Sequence, residues 1–145
     1  MRFFSENDQD IKLKKTKNLP GFEITLTENL SIKSQINNPF FTGLRGMNII
    51  QLPKKMKGFR DNPDLQNLLE PVKVRTGIKA DLNDSQFLIF QPNLEFLRAH
   101  KLWANNQIFG HDEEIVPTIL NYGFHDVTLT KDMVIGNIIV LNAIV

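Results

Sequence analysis

A chain of 145 residues with 41% hydrophobic content can build one hydrophobic core and is too short for two, so a single globular domain is expected. The absence of cysteine excludes disulfides, thiolate nucleophiles and thiolate metal sites, and a formal net charge of +1 gives no whole-chain field that would single out nucleic acid or a strongly acidic partner. Residues 1–20 lack the apolar core of a signal peptide, and no stretch reaches the roughly eighteen consecutive apolar residues of a membrane span, so no membrane partner is expected.

Residues 1–21 are polar and lysine-rich, and Asn7, Asp8, Gln9 and Asp10 give way to an alternation in Ile11, Lys12, Leu13 and Lys14. This predicts a polar N-terminal arm over 1–21 that ends in a short strand, followed by a β domain over 22–145. Lys12, Lys14, Lys15 and Lys17 suit an edge strand, where lysine discourages unwanted pairing, better than a phosphate backbone. Apolar residues at every second position (Phe22, Ile24, Leu26; Leu30, Ile32) predict strands over 22–26 and 30–36, joined by a tight turn at Thr27, Glu28 and Asn29. A further strand is expected over 47–52, stopped by Pro53, which removes a backbone donor. Lys54, Lys55, Lys57 and Arg60 then cluster beside Met56 and Phe59. This basic loop reads as a solvated charge run, with an interaction loop as the alternative. Asn62 and Pro63 have the form of an N-cap and first helical residue, with Leu65, Leu68 and Leu69 on one face before Pro71.

From residue 72 onward, strands are predicted over 72–78, 87–90, 114–121, 127–130 and 138–145. Between them Asn93 caps a helical segment carrying Leu94, Phe96 and Leu97, and Gly110, Gly123 and Gly136 punctuate the later strands. Many short strands with one or two short helices and no fixed-period repeat predict an all-β sandwich, jelly roll or barrel.

Several short stretches have a further pattern. Arg45, Gly46, Met47, Asn48 and Ile49 carry a glycine followed by apolar residues on either side of an amide; Val74, Arg75, Thr76, Gly77 and Ile78 form a Thr-Gly-Ile strand; Gly136, Asn137, Ile138, Ile139, Val140 and Leu141 open on glycine and continue as an apolar strand. In this order they resemble the motifs of the trimeric dUTPase family, over roughly residues 47–145. The resemblance implies an all-β, dUTPase-like jelly roll or β-barrel assembled as a homotrimer. The polar groups of the family's motifs are not matched. Asn48 replaces an acid. Gln91, Pro92, Asn93 and Leu94 stand where the family has Arg and Ser on the phosphates, and a neutral amide cannot reproduce the donor fork of a guanidinium. Residues 105–115 resemble the motif that carries a water-activating aspartate and a uracil-side tyrosine, with Ile108 and His111 falling near those positions. Residues 136–141 keep the glycine and lose the Asp, Arg and Gln. A glycine-rich closing arm, the family's fifth motif, has no counterpart before Val145.

The acidic group His111, Asp112, Glu113 and Glu114 has two readings: a solvated turn, or carboxylates converging on magnesium and phosphate with Asp112 or Glu114 as base. The turn is the reading adopted, because neighbouring strand carboxylates point to opposite faces. His100, His111 and His125 are scattered, and neither a metal-binding His/Glu helix nor a phosphate-cradling glycine loop is present. Trp103, Tyr122, Phe40, Phe41, Phe59 and Phe109 read as core or subunit interface. The expectation is therefore no catalytic, cofactor-binding or metal residues and no cofactor. The expected function is a non-enzymatic homotrimeric structural or attachment module, such as a capsid decoration or head-fibre base in a virus particle, with itself and larger structural proteins, the capsid among them, as partners. The lack of cysteine fits assembly inside a cell in either case. A divergent magnesium-dependent deoxynucleotide hydrolase and a non-hydrolysing nucleotide- or protein-binding regulator are the alternatives.

Overall fold

The structure, a computed structural model, describes residues 1–38 and 70–144. The expected strand over 47–52, the basic loop, the helix following Asn62 and the stretch from Arg45 to Ile49 lie outside the described residues.

Twelve strands are described: β1 (Arg2–Phe4), β2 (Asp10–Ile11), β3 (Phe22–Thr25), β4 (Leu30–Ile32), β5 (Val72–Lys73), β6 (Lys79–Asp81), β7 (Gln86–Pro92), β8 (Leu102–Trp103), β9 (Gln107–Phe109), β10 (Thr118–Asn121), β11 (Val127–Leu129) and β12 (Val134–Asn142). A 3-10 turn at Gln35–Asn37 and one helix, α1 (Leu94–His100), complete the described elements. Every strand pairing is antiparallel, in sheets ordered β2-β1-β6, β5-β10-β8, β11-β4 and β3-β12-β7-β9. The all-β expectation with few helices holds.

The four-stranded sheet is the backbone of the domain. Its longest pairing runs from Gly136↔Pro92 to Asn142↔Gln86, and it places Leu88, Phe90 and Ile138 on the inner face at 0–1% exposure. Ile24 and Ile135 of the same sheet, and Ile115, Ile119 and Leu129 from outside it, join them in the core, equally buried. Gly136 sits where strands press together: a Cβ there would lie 2.5 Å from the carbonyl oxygen of Gln91 and 2.6 Å from the Phe90 ring. The helix forms as its residues dictate. Asn93 Oδ1 accepts from the amides of Glu95 (3.1 Å) and Phe96 (3.3 Å), Phe96 and Leu97 turn to the core, and Lys101 ends the helix in the left-handed region at φ 53°.

Several sequence expectations are corrected. The strand over 30–36 stops at Ile32, because the Ser34 amide donates to Asp126 Oδ1 (2.7 Å) and the chain turns into the 3-10 segment. Of the strand over 72–78 only Val72–Lys73 is ladder; the chain then turns at Gly77, whose φ of +67° lies outside the extended region, and resumes as β6 at Lys79. Of 114–121 only Thr118–Asn121 is ladder; upstream, Val74 N donates to Pro117 O (2.7 Å) and Ile115 N to Ile78 O (2.9 Å), while Pro117 has no amide to return. The last strand begins at Val134, with a bulge between Val134 and Gly136. β8 and β9 were not anticipated. Within residues 1–21, β1 pairs with β6, and Phe3 is a core residue at 7% exposure with its ring edge-on to Phe22 at 5.0 Å.

Candidate functional site

The Thr-Gly-Ile stretch builds a brace. Thr76, 6% exposed, donates its hydroxyl to Ile115 O (2.6 Å) and accepts from Ile78 N (3.2 Å), so both of its polar roles are filled. The left-handed φ of Gly77 turns its amide outward, where it donates to Glu114 Oε1 (3.0 Å). Arg75 donates through Nη2 to Glu114 Oε2 (2.7 Å) and, on the other side, to Glu6 Oε1 (2.6 Å). The Glu114 side chain is 14% exposed. The Arg75 hydrogen bond is the largest influence on its carboxyl and, with the Gly77 amide, holds it below the usual carboxylate range against the opposing effect of burial. Reciprocally, the Glu114 hydrogen bond leads the causes that raise the Arg75 guanidinium.

The rest of the acidic group is a turn that folds onto itself. Glu113 Oε2 accepts from Gly110 N (2.8 Å), Asp112 sits at φ 57° with Lys79 Nζ 3.3 Å from its carboxylate, and His111 Nδ1 accepts from Leu82 N (3.1 Å). Glu113 and Glu114 line a cleft of about 480 Å³ together with Lys73, Arg75 and Phe109, and Asp112 is not part of that lining. Ile108, the position near the family's aspartate, points outward from β9 at 67% exposure, while Phe109 beside it is 6% exposed. Among the described residues no group of three His, Asp or Glu side chains is placed to hold a metal ion.

A second cleft, of about 560 Å³, brings together two of the motif-like stretches: Gln91, Pro92 and Leu94 from the end of β7 and start of α1, and Asn105 and Asn106 ahead of β9. Its described lining holds no charged side chain. The exposed amides at the start of α1 are engaged by Asn93 itself, and Leu94 stands 58% exposed at the cleft wall.

The stretch from Gly136 to Leu141 does not open on a turn. The turn before β12 is at Lys131 and Asp132, with Asp132 at φ 71°, and Gly136 is inside the strand. The glycine is kept there by contact, not by backbone conformation. His100 and His125 share a cleft of about 340 Å³ with Lys101 and Phe124, remote in sequence from the His111 turn; His100 Nδ1 is 2.9 Å from Phe96 O. Trp103 and Tyr122 are half exposed, at 50% and 56%, whereas Phe109 is core.

One polar centre escaped sequence reasoning. Asn121 is 1% exposed, and its Nδ2 donates to Ile32 O (3.0 Å) and His125 O (2.9 Å) while its Oδ1 accepts from Gly123 N (2.8 Å). Ser34 Oγ donates to Gly123 O (2.6 Å), and Asp126 accepts from Asn37 Nδ2 (3.0 Å) and Ser34 N; the Asn37 bond leads the causes that hold the Asp126 carboxyl low. The Asn-Tyr-Gly order, an amide two residues before a glycine, is the signal that could have marked this turn. Its work is to hold β4, β10 and β11 together.

Comparison with solved structures identifies the architecture. The fold is similar to the dUTPase of Streptococcus mutans (12% identity, covering 100% of this chain and 98% of that one, TM-score 0.66). It is also similar to the Staphylococcus bacteriophage 80alpha dUTPase, G164S mutant, with dUpNHpp (6%, 93% and 78%, TM-score 0.62) and to the native EIAV dUTPase (12%, 98% and 88%, TM-score 0.60). No family model and no curated protein sequence matches this chain. At these identities the likeness establishes the dUTPase fold.

Proposed function

We propose that this chain is a non-enzymatic module that uses the dUTPase fold to self-associate as a homotrimer and serves a structural or attachment role. The observation that carries the reading is that the carboxylates where hydrolytic chemistry would be sought are engaged by the fold. Glu114 is tied to Arg75 and Gly77, and Glu113 to Gly110. A general base needs a pKa near the working pH, and Arg75 pushes Glu114 the other way. The cleft at Gln91 and Asn106 offers neutral amides where a triphosphate calls for guanidinium or ammonium donors. Self-association rests on the resemblance to the trimeric family.

The divergent hydrolase remains the second reading, because the solved structures of this fold named above are dUTPases, one of them holding dUpNHpp, and because Asp112 keeps a carboxylate that is 59% exposed. Light scattering on the purified chain, paired with magnesium-dependent pyrophosphate release from dUTP and the other deoxynucleoside triphosphates, separates the two. The structural reading expects a mass of three 16.7 kDa protomers and no release. Release that falls on Asp112→Asn establishes the hydrolase, and saturable nucleotide binding without release establishes the regulator. In its finer form the trimer is a virus-particle component docked to a capsid or fibre protein through its N-terminal segment. Deleting residues 1–21 would also remove Phe3 from the core, so the cleaner probe is Lys12, Lys15 and Lys17→Glu, all exposed. Loss of co-sedimentation with particles in that variant is the expected result, and unchanged co-sedimentation sinks the docking role.

A further inference from the structure

We infer that the outer face of the sheet β5-β10-β8, with the cleft at its end, binds single-stranded nucleic acid: Trp103, Tyr122 and Phe124 stack on its bases and Lys101 pairs with its phosphates. Among the described residues these three are the aromatic side chains that are at least half exposed, Phe124 at 72%. β8 and β10 bring them together. Trp103 lies opposite Leu120, and just beyond the ladder the Tyr122 amide donates to Lys101 O (3.2 Å). The alternate residues Leu102 and Asn121 are buried. Trp103, Lys101, Leu120 and Tyr122 therefore share the outer face, with Trp103 and Tyr122 as diagonal neighbours about 7–8 Å apart. Phe124 follows Tyr122 by two residues and lines the cleft of about 340 Å³ together with His100, Lys101 and His125.

Charge and ring chemistry select the occupant. A Cβ on Gly123 would lie 3.2 Å from Lys101 Cβ and 3.5 Å from Lys101 Cδ, so the bare glycine lets the lysine stem lie across the residue that separates Tyr122 from Phe124. The Lys101 ammonium has neither a hydrogen bond nor an ion pair among the described residues. The single carboxylate in the described lining of the cleft, Asp126, is occupied by Ser34 N and Asn37 Nδ2, with Lys33 close enough to act on it. Glu113 and Glu114 line a cleft at the opposite end of the face, beside Lys73 and Thr118, and Glu114 is paired to Arg75. The Lys101 end is therefore the one that accepts an anion. An unpaired cation among exposed rings fits a chain of phosphates whose bases are free to stack, since every base presents a π face. A duplex keeps its bases stacked inside and offers this face only phosphate, and a neutral chain leaves Lys101 unpaired. The whole-chain charge of +1 adds no long-range field, so the site acts through local contacts. All of its groups belong to one protomer, so the inference stands independently of self-association.

The test uses the full chain and labelled oligodeoxythymidylate. Fluorescence anisotropy at low salt is expected to show saturable binding that weakens as salt rises. Trp103→Ala, Tyr122→Ala and Phe124→Ala, all at exposed positions, are each expected to weaken it about tenfold. Lys101→Gln is expected to weaken it and to make the slope of log affinity against log salt shallower by about 0.7, the contribution of one phosphate contact on a single strand. Ile108→Ala on β9 and Lys12→Gln are expected to leave binding unchanged. Because Trp103 is the single tryptophan, its emission reports on the face without any substitution, and saturable quenching by the oligomer but not by inorganic polyphosphate is expected. Tighter binding of oligouridylate than of oligodeoxythymidylate supports the inference with RNA as the strand, and the reverse supports it with DNA. Absence of binding at low salt overturns it. So does binding that the aromatic variants leave intact, or that polyphosphate or polyglutamate displaces at equal charge, since neither anion carries bases. Light scattering adds a last discriminant: if the aromatic variants lose binding only as their mass falls below that of wild type, the face joins copies of the chain and the inference is overturned.

Discussion

Glu114 shows how much a single side chain can be asked to hold. Its two oxygens accept from a guanidinium and from the one backbone amide that the left-handed turn at Gly77 exposes. Glu114→Ala leaves that amide without its acceptor, and a loss of about 1–2 kcal/mol is expected in denaturant unfolding. The sign of the pH effect follows from the lowered carboxyl. A group more acidic in the folded than in the unfolded chain stabilises the fold above its unfolded pKa, and that contribution disappears as pH falls through the folded value. Wild type should therefore lose melting temperature through the acid side of the carboxylate range, and Glu114→Gln should flatten that limb; an unchanged slope in the variant refutes the assignment. At Gly77, where a Cβ would meet no neighbouring atom but φ is +67°, alanine is expected to cost about 1 kcal/mol, from backbone strain alone.

Among the elements, β12 and β1 make the sharpest contrast with sequence expectation. Gly136 lies mid-strand, and its substitution by alanine drives a methyl into the Gln91 carbonyl and the Phe90 ring. A destabilisation of about 1–3 kcal/mol is expected, from overpacking at the longest pairing in the domain. A melting temperature within error of wild type would mean that β7 and β12 can separate without penalty. Phe3→Ala is expected to cost about 3 kcal/mol in chemical denaturation, because Phe3 fills a core site between β6 and Phe22. The strand periods at 22–26, 87–90 and 127–130 were legible, since alternation is a local property and these segments bury one face. The strand at Phe3 was not: three residues before a polar run give no period to read. The break at Ser34 and the turn at Gly77 were also hidden, since each is held by a partner far along the chain, Asp126 in the first case and Glu114 in the second.

At the scale of the molecule, the homotrimer proposed above would tie folding to assembly. A homotrimer melts at a temperature that rises with protein concentration, because association binds the folded state only. That rise is expected for wild type; a melting temperature independent of concentration would place the assembly outside the folding equilibrium. The candidate site belongs to the same scale. Gln91 and Leu94 belong to one motif-like stretch of the sequence and Asn105 and Asn106 to another, and that the two share one cleft became visible only once β7 lay beside β9.

The sequence by itself determined what depends on short-range order. It specified an all-β framework of short strands, the cap at Asn93, and the absence of thiol chemistry; its Thr-Gly-Ile stretch also pointed to the fold seen in the solved dUTPases. Only the tertiary structure decided what depends on partners distant in the chain. It joined Arg75 to Glu114 across 39 positions and Asn121 to Ile32 across 89, and it drew Phe3 into the core. It also decided which apolar face of β7 and β12 lies inward. A period of two tells that a strand has two faces, and only the packing of the other strands against one of them tells which is left exposed.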